Sequence, residues 1–85
     1  MFELGQIVIT TNAQGELKQD DVMKGLGRHA NNDWGDIDDE DRAANDAAVE
    51  EGTRISSAYR SGDTKFWIIT EADRSATTIL LPEDY

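Results

Sequence analysis

Residues 54–81 read RISSAYRSGDTKFWIITEADRSATTILL, and this stretch decides the fold class. Arg54–Arg60 alternates, with Ile55, Ser57 and Tyr59 on one face. Ser61-Gly62-Asp63-Thr64 is a tight connection, and Lys65–Thr70 pairs back across it as a hairpin. Glu71–Ser75 turns again, Ala76–Leu81 forms another strand, and Pro82 stops it. Three successive strands with short turns make an antiparallel meander. In its middle strand, KFWIIT, either Trp67 and Ile69 or Phe66 and Ile68 face the core, because neighbours on a strand point oppositely. The unbroken WII run also fits a strand covered on both faces, one by helices and one by a partner chain.

Ahead of the meander, Gly5–Thr11 (GQIVITT) is β-branched and reads as a strand that ends in a turn at Asn12-Ala13-Gln14-Gly15. From Leu17 to about Ala30 the pattern is helical, with Val22, Leu26 and His29 at i, i+4 and i+7. Gly25 and Gly27 weaken that helix by roughly 1 kcal/mol each against Ala. After the turn formers Asn31–Asp36, a second helix runs from about Asp38 to Glu51. Acids crowd its first turn, where they meet the positive end of the dipole, and Gly52 is placed to end it. Ile37, Ala44, Ala47 and Ala48 form its expected inward stripe, opposite Asp39, Arg42, Asp46 and Glu50. The order is β-α-α-β-β-β over a single α+β domain, residues 1–85. The economical arrangement is a four-stranded antiparallel sheet with both helices packed on one face. The first strand then pairs with one or other edge of the meander.

Composition narrows the function classes. At 85 residues and 38% hydrophobic content the core is small. With no Cys, disulfides and thiolate metal sites are excluded. No apolar run approaches the roughly 18 residues of a membrane span, and MFELGQ has no signal-peptide character. A cytoplasmic protein, monomer or homodimer, is the expectation. Net charge is −10, and residues 31–51 hold nine carboxylates against Arg42 alone. Such a chain is repelled by nucleic acid and by anionic membranes, so its expected partner is a protein with a basic nucleic-acid-binding surface.

Catalytic, metal and cofactor motifs are weak. Asp36, Asp38 and Glu40 copy the opening of an EF-hand loop, but the sixth position is Asp41 rather than Gly and the twelfth is Ala47 rather than Glu. His29 is the single His and reads as a core-capping residue or a partner of Asp33. Ser56 or Ser57 with His29 and any Asp makes a chance triad on paper, and Gly25-Leu26-Gly27 lacks the strand and third Gly of a phosphate loop. No enzyme, no metal and no cofactor are expected.

The helix from Asp38 to Glu51 is the better candidate. Fourteen residues span about 21 Å and carry seven carboxylates, about one per 3 Å, close to the 3.4 Å phosphate spacing of one DNA strand. The plain alternative is a solvated, well-capped helix, although ordinary surface helices intersperse Lys and this one has none. Trp34, between Asp33 and Asp36, caps the core, anchors an interface ringed by acids, or does both. The candidate partner-binding residues are therefore Asp33, Trp34, Asp36, Asp39, Asp46 and Glu50.

FELGQIVIT at the start, HANNDWGDIDDEDRAANDAA, RISSAY, and the closing WIITEADRSATTILLPEDY together resemble a family of small proteins of bacterial plasmids, integrative elements and prophages. Members are called plasmid-related, or sometimes subunit M of a type I restriction system. The resemblance spans essentially the whole chain. A methylating subunit needs a cofactor-binding Gly motif and an Asn-Pro-Pro-aromatic motif; this chain has one Pro and neither motif. What the resemblance implies is the company of mobile DNA and host defence. The leading expectation is an acidic inhibitor of a bacterial defence complex, of anti-CRISPR or anti-restriction type, acting as a nucleic-acid mimic. The alternative is a small accessory or regulatory subunit of the element with no anti-defence role.

Overall fold

A computed structural model describes residues 2–85; Met1, in the stretch read above for leader character, lies outside the described residues. Strand β1 is Gln6–Ile9, shorter than expected. It is followed by α1 (Thr11–Glu16), α2 (Gln19–Ala30), α3 (Asp39–Glu51), β2 (Ile55–Ser61), β3 (Thr64–Thr70), β4 (Ala76–Leu80) and a 3-10 turn at Pro82–Asp84. The meander, the long α2 and the acidic α3 form as the sequence patterns require. Two features differ from expectation.

The first is the sheet. Its order is β1-β4-β3-β2, and β1 pairs with β4 in parallel, so the sheet is mixed rather than antiparallel. Three helices intervene between β1 and β2, and such a crossover returns the chain to the end where it began. β1 consequently runs with β2 and β4 and against β3. It joins β4 because the free side of β2 is taken. Ala58 donates to Trp34 O at 3.1 Å and accepts from Asp36 N at 2.8 Å, an isolated parallel bridge at Gly35. The Asn45 side chain, from α3, donates to Ser56 O at 2.7 Å and accepts from Ser56 N at 3.2 Å. These contacts stand where a neighbouring strand would stand. α3 thus lies along the β2 edge, instead of beside α2 on the sheet face.

The second is α1. The turn expected at Asn12–Gly15 is a six-residue helix. Thr10 caps it by accepting from Ala13 N at 3.1 Å. The far end of the chain completes the cap: Asp84 accepts from Thr10 Oγ1 at 2.6 Å and from Asn12 Nδ2 at 2.8 Å. Both bonds hold the Asp84 carboxyl below its usual range.

Phe66, Ile68, Tyr59 and Ile79 fill one sheet face beneath α1 and α2, with Ala13 and Leu17. Gly25 belongs there because a Cβ would sit 3.0–3.2 Å from the Phe66 and Tyr59 rings. The helix propensity lost at Gly25 is exchanged for close packing. A second cluster, Trp34, Ala48 and Ile55 with Phe2, Ile37 and Val49, joins α3 to the sheet. On the opposite sheet face Ile69 is 4% exposed and Trp67 is partly exposed. There the chain's own Tyr85 stands edge-on to Trp67, ring centroids 5.7 Å apart. No described helix is long and apolar enough to cross a membrane.

Candidate interaction surface

α3 is built by its ends. Asp38 caps the start, accepting from Asp41 N at 2.8 Å. Gly52, left-handed at φ 75°, closes it with a bond to Ala48 O. No base stands in the last turn. Arg74 supplies that charge from the β3–β4 turn, donating to Ala48 O at 2.9 Å and Thr53 O at 2.7 Å. The guanidinium adds a donor to Ala48 O, which Gly52 N already bonds, satisfies Thr53 O just past the helix, and complements the negative end of the dipole.

The helix is rotated from its expected setting. Asn45 and Ala48 are buried, while Ala44 and Ala47, assigned to the inward stripe, are exposed. Small apolar side chains made Ala44 and Ala47 look internal, but the bonds of Asn45 to the β2 edge set the angle instead. At 100° per residue, Ala43, Ala47 and Glu50 then point most directly outward. Asp39 and Asp46 flank them.

The six candidate residues divide. Trp34 is buried at 2% exposure and its Nε1 donates to Asp46 Oδ1 at 3.0 Å. It therefore caps the core, the first of its two expected roles, and offers no ring to an interface. Asp46 is exposed but holds that indole. Asp33 pairs with Arg28 at 2.8 Å, which keeps its carboxyl below the ordinary value. Asp36 lies 3.7 Å from Arg60, and Asp39 lies 4.0 Å from Arg42 while fully exposed. Glu50 is exposed, and among the described residues no cation reaches Glu40, Asp41, Glu50 or Glu51 at ion-pair distance.

The structure adds a groove that the linear sequence hid. Asp36, Asp38 and Asp41, at the start of α3, share a cavity of about 480 Å³ with Lys65 and Trp67 of β3. Twenty-four or more positions separate the two sets; the pairing of Ala58 with Trp67 across the hairpin brings them together. The partly exposed aromatic beside the acids is thus Trp67, not Trp34. Its signal in the sequence was the WII run, where Trp67 alternates away from Phe66 and Ile68.

His29 is neither exposed nor bound to Asp33, which faces Arg28 instead. Its Nδ1 meets Ser57 Oγ and its Nε2 lies 2.8 Å from Thr70 Oγ1. Thr77 donates to Leu4 O at 2.7 Å, so Thr77 accepts from Thr70, and Thr70 in turn accepts from His29 Nε2–H. Nε2 therefore carries a proton; in the neutral ring that burial favours, Nδ1 accepts from Ser57 Oγ, whose other acceptor, Ile68 O, lies farther off at 3.4 Å. Burial pushes its pKa down to about 4. The Ser57–His29 pair of the paper triad does exist, but its third member is a threonine and all three groups are closed to solvent. Among the described residues no cluster of His, Asp and Glu is arranged to hold a metal.

No protein-family model matches the chain, and neither curated proteins nor solved structures give a significant match.

Proposed function

We propose that this protein is a non-enzymatic acidic inhibitor from a mobile genetic element. It docks α3 and the adjoining groove on a basic, nucleic-acid-handling surface of a bacterial defence complex. The observation that carries this reading is the set of exposed carboxylates on α3 that no cation reaches among the described residues: Glu40, Asp41, Glu50 and Glu51, with Asp39 fully exposed beside them. A helix selected only for solubility gains from interspersed Lys at i+4, a few tenths of a kcal/mol per pair. Here Asp39, Glu40, Asp41 and Asp46 are followed at i+4 by Ala43, Ala44, Asn45 and Glu50, and only the capping Asp38 has a base there, Arg42. A partner with Lys or Arg arrayed for phosphates meets the same charge density on α3.

The test uses Asp39→Asn, Glu40→Gln and Glu50→Gln together. Asp46 is left intact because it holds the Trp34 indole. With the chain as bait in a bacterial lysate, the parent captures a nucleic-acid-handling complex, loses it as salt rises, and competes with DNA or RNA for it. The triple variant keeps its fold and loses that capture. Equal capture by parent and variant refutes the docking role of α3. The chain itself leaves plain duplex DNA unshifted at physiological salt, since it lacks a basic cluster; a band shift removes the mimicry reading.

A further inference from the structure

The two edges of the sheet are treated differently. β2 is sealed by Asn45 and by the Trp34–Asp36 segment. At the other edge, β1 has no neighbour beyond it among the described residues. Gln6 N donates to Ser75 O and Thr10 N to Ile79 O, so even-numbered residues face β4 and the amides and carbonyls of Ile7 and Ile9 point outward. Of the devices that blunt an edge strand, β1 has brevity alone: no charge, no Pro and no bulge. Ile7 is 45% exposed and Val8 40%. Beside Ile7 and Ile9 an open apolar groove of about 480 Å³ runs under α2, with Val22, Met23 and Leu26 on its far wall. Met23 is 60% exposed.

The geometry points to a second copy of this chain as the occupant, paired antiparallel through β1 about a two-fold axis at Val8. That register is self-complementary: Ile7 of each copy exchanges both backbone bonds with Ile9 of the other, and the two Val8 side chains oppose directly. The axis is normal to the sheet, so both helix layers lie on one side. Each partner's Ile7 and Ile9 then fall against the other's groove and cover Met23. Charge selects the occupant. The groove is lined by uncharged side chains only, and Gln6–Ile9 carries no charge. A basic partner finds nothing to grip there. Two copies at −10 each meet at this edge with their α3 helices at opposite ends of an eight-stranded sheet. Three strand spacings separate β1 from β2, about 14 Å in each copy, so the acidic helices stand apart by well over the roughly 8 Å screening length. The inference is independent of what α3 binds, and it would present two acidic faces per assembly.

Sedimentation equilibrium of the full chain tests it. The mass rises with concentration from 9.4 kDa toward twice that value. Val8→Lys opposes two ammonium groups across the axis and weakens association by about tenfold or more, while Val8→Thr keeps it. Val8 is exposed enough for both variants to fold, which circular dichroism verifies. Amide exchange supplies a second readout: Ile7 and Ile9 gain protection as the dimer fills, whereas the Gln6 and Thr10 amides, already bonded to β4, do not change. A mass of 9.4 kDa at every concentration up to the millimolar range overturns the proposal. So does a dimer indifferent to Val8→Lys, unchanged exchange at Ile7 and Ile9 on dimerisation, or an edge that takes extended peptides of other proteins while the chain alone stays monomeric.

Discussion

Lowering the pH toward 5 should destabilise this protein through His29. In the folded state its pKa is about 4; in the unfolded chain it returns to the ordinary 6.5. A depressed histidine pKa means that the unfolded state binds the proton first. The stabilising contribution is therefore complete above about pH 6.5 and is lost as pH falls toward 4. At about pH 5 the loss amounts to roughly 2 kcal/mol, and near pH 4 to roughly 3, at 1.36 kcal/mol per unit. Against a total of about 5–15 kcal/mol for a small domain, that is a large fraction. The depressed carboxyls of Asp33, Asp73 and Asp84 act in the same direction but lower, below their unfolded values near 3.8. Urea unfolding near pH 7 and pH 5, followed by tryptophan fluorescence, measures the effect, since the Trp34 ring lies 5.7 Å from His29. The midpoint should fall with an unchanged slope. In His29→Gln, which keeps one donor and one acceptor but cannot titrate, the fall should vanish, although the starting stability is lower. A parent midpoint that stays flat between these pH values, or a variant that falls as steeply, refutes the account of a neutral, buried imidazole.

Three further outcomes follow from the packing. Gly35→Ala should cost several kcal/mol in thermal or urea unfolding, because φ is 76° and a Cβ would lie 2.1 Å from Ala58 O, which no side-chain motion relieves. Arg74→Ala should cost about 1–3 kcal/mol by exposing the end of α3 and leaving Ala48 O with one fewer donor, whereas Arg74→Lys should recover only part, lacking the forked geometry. Asp38→Ala should cost about 1 kcal/mol through the lost cap, while Glu50→Gln at the other end should be neutral or slightly stabilising by relieving repulsion. Equal effects at these last two positions would count against the capping role of Asp38.

What the sequence disclosed was local, and what it concealed was distant. The hairpin Ile55–Thr70 and the helix Asp39–Glu51 carry their own signals: alternation, turn glycine, an acidic first turn and a Gly stop. α1 carries the opposite signal, since Asn12 and Gly15 favour a turn. It is helical because Asp84, seventy-two positions from Asn12, completes its cap. The parallel seat of β1 was decided by occupancy of the β2 edge, and that occupancy depends on Asn45 and Trp34, whose roles no pattern of hydrophobicity betrays. The acidic surface was legible as composition, but its geometry was not. Asp33 and Asp46 are partly spent on Arg28 and Trp34, and Trp67 enters from another part of the chain.

The seat of β1 also sets the order in which the molecule can assemble. Gln6 pairs with Ala76, Thr10 with Asp84 and Leu4 with Thr77, each across seventy or more positions, while the hairpins close over a few. Loop closure over so long a span is unfavourable until the rest of the sheet offers an edge to join, so the meander and its helices should form first and β1 dock last. On the ribosome β1 emerges some seventy residues before β4, the strand it joins. Until β4 arrives, QIVI waits as an unpaired, uncharged segment, and the late step that pairs it should be the slow one.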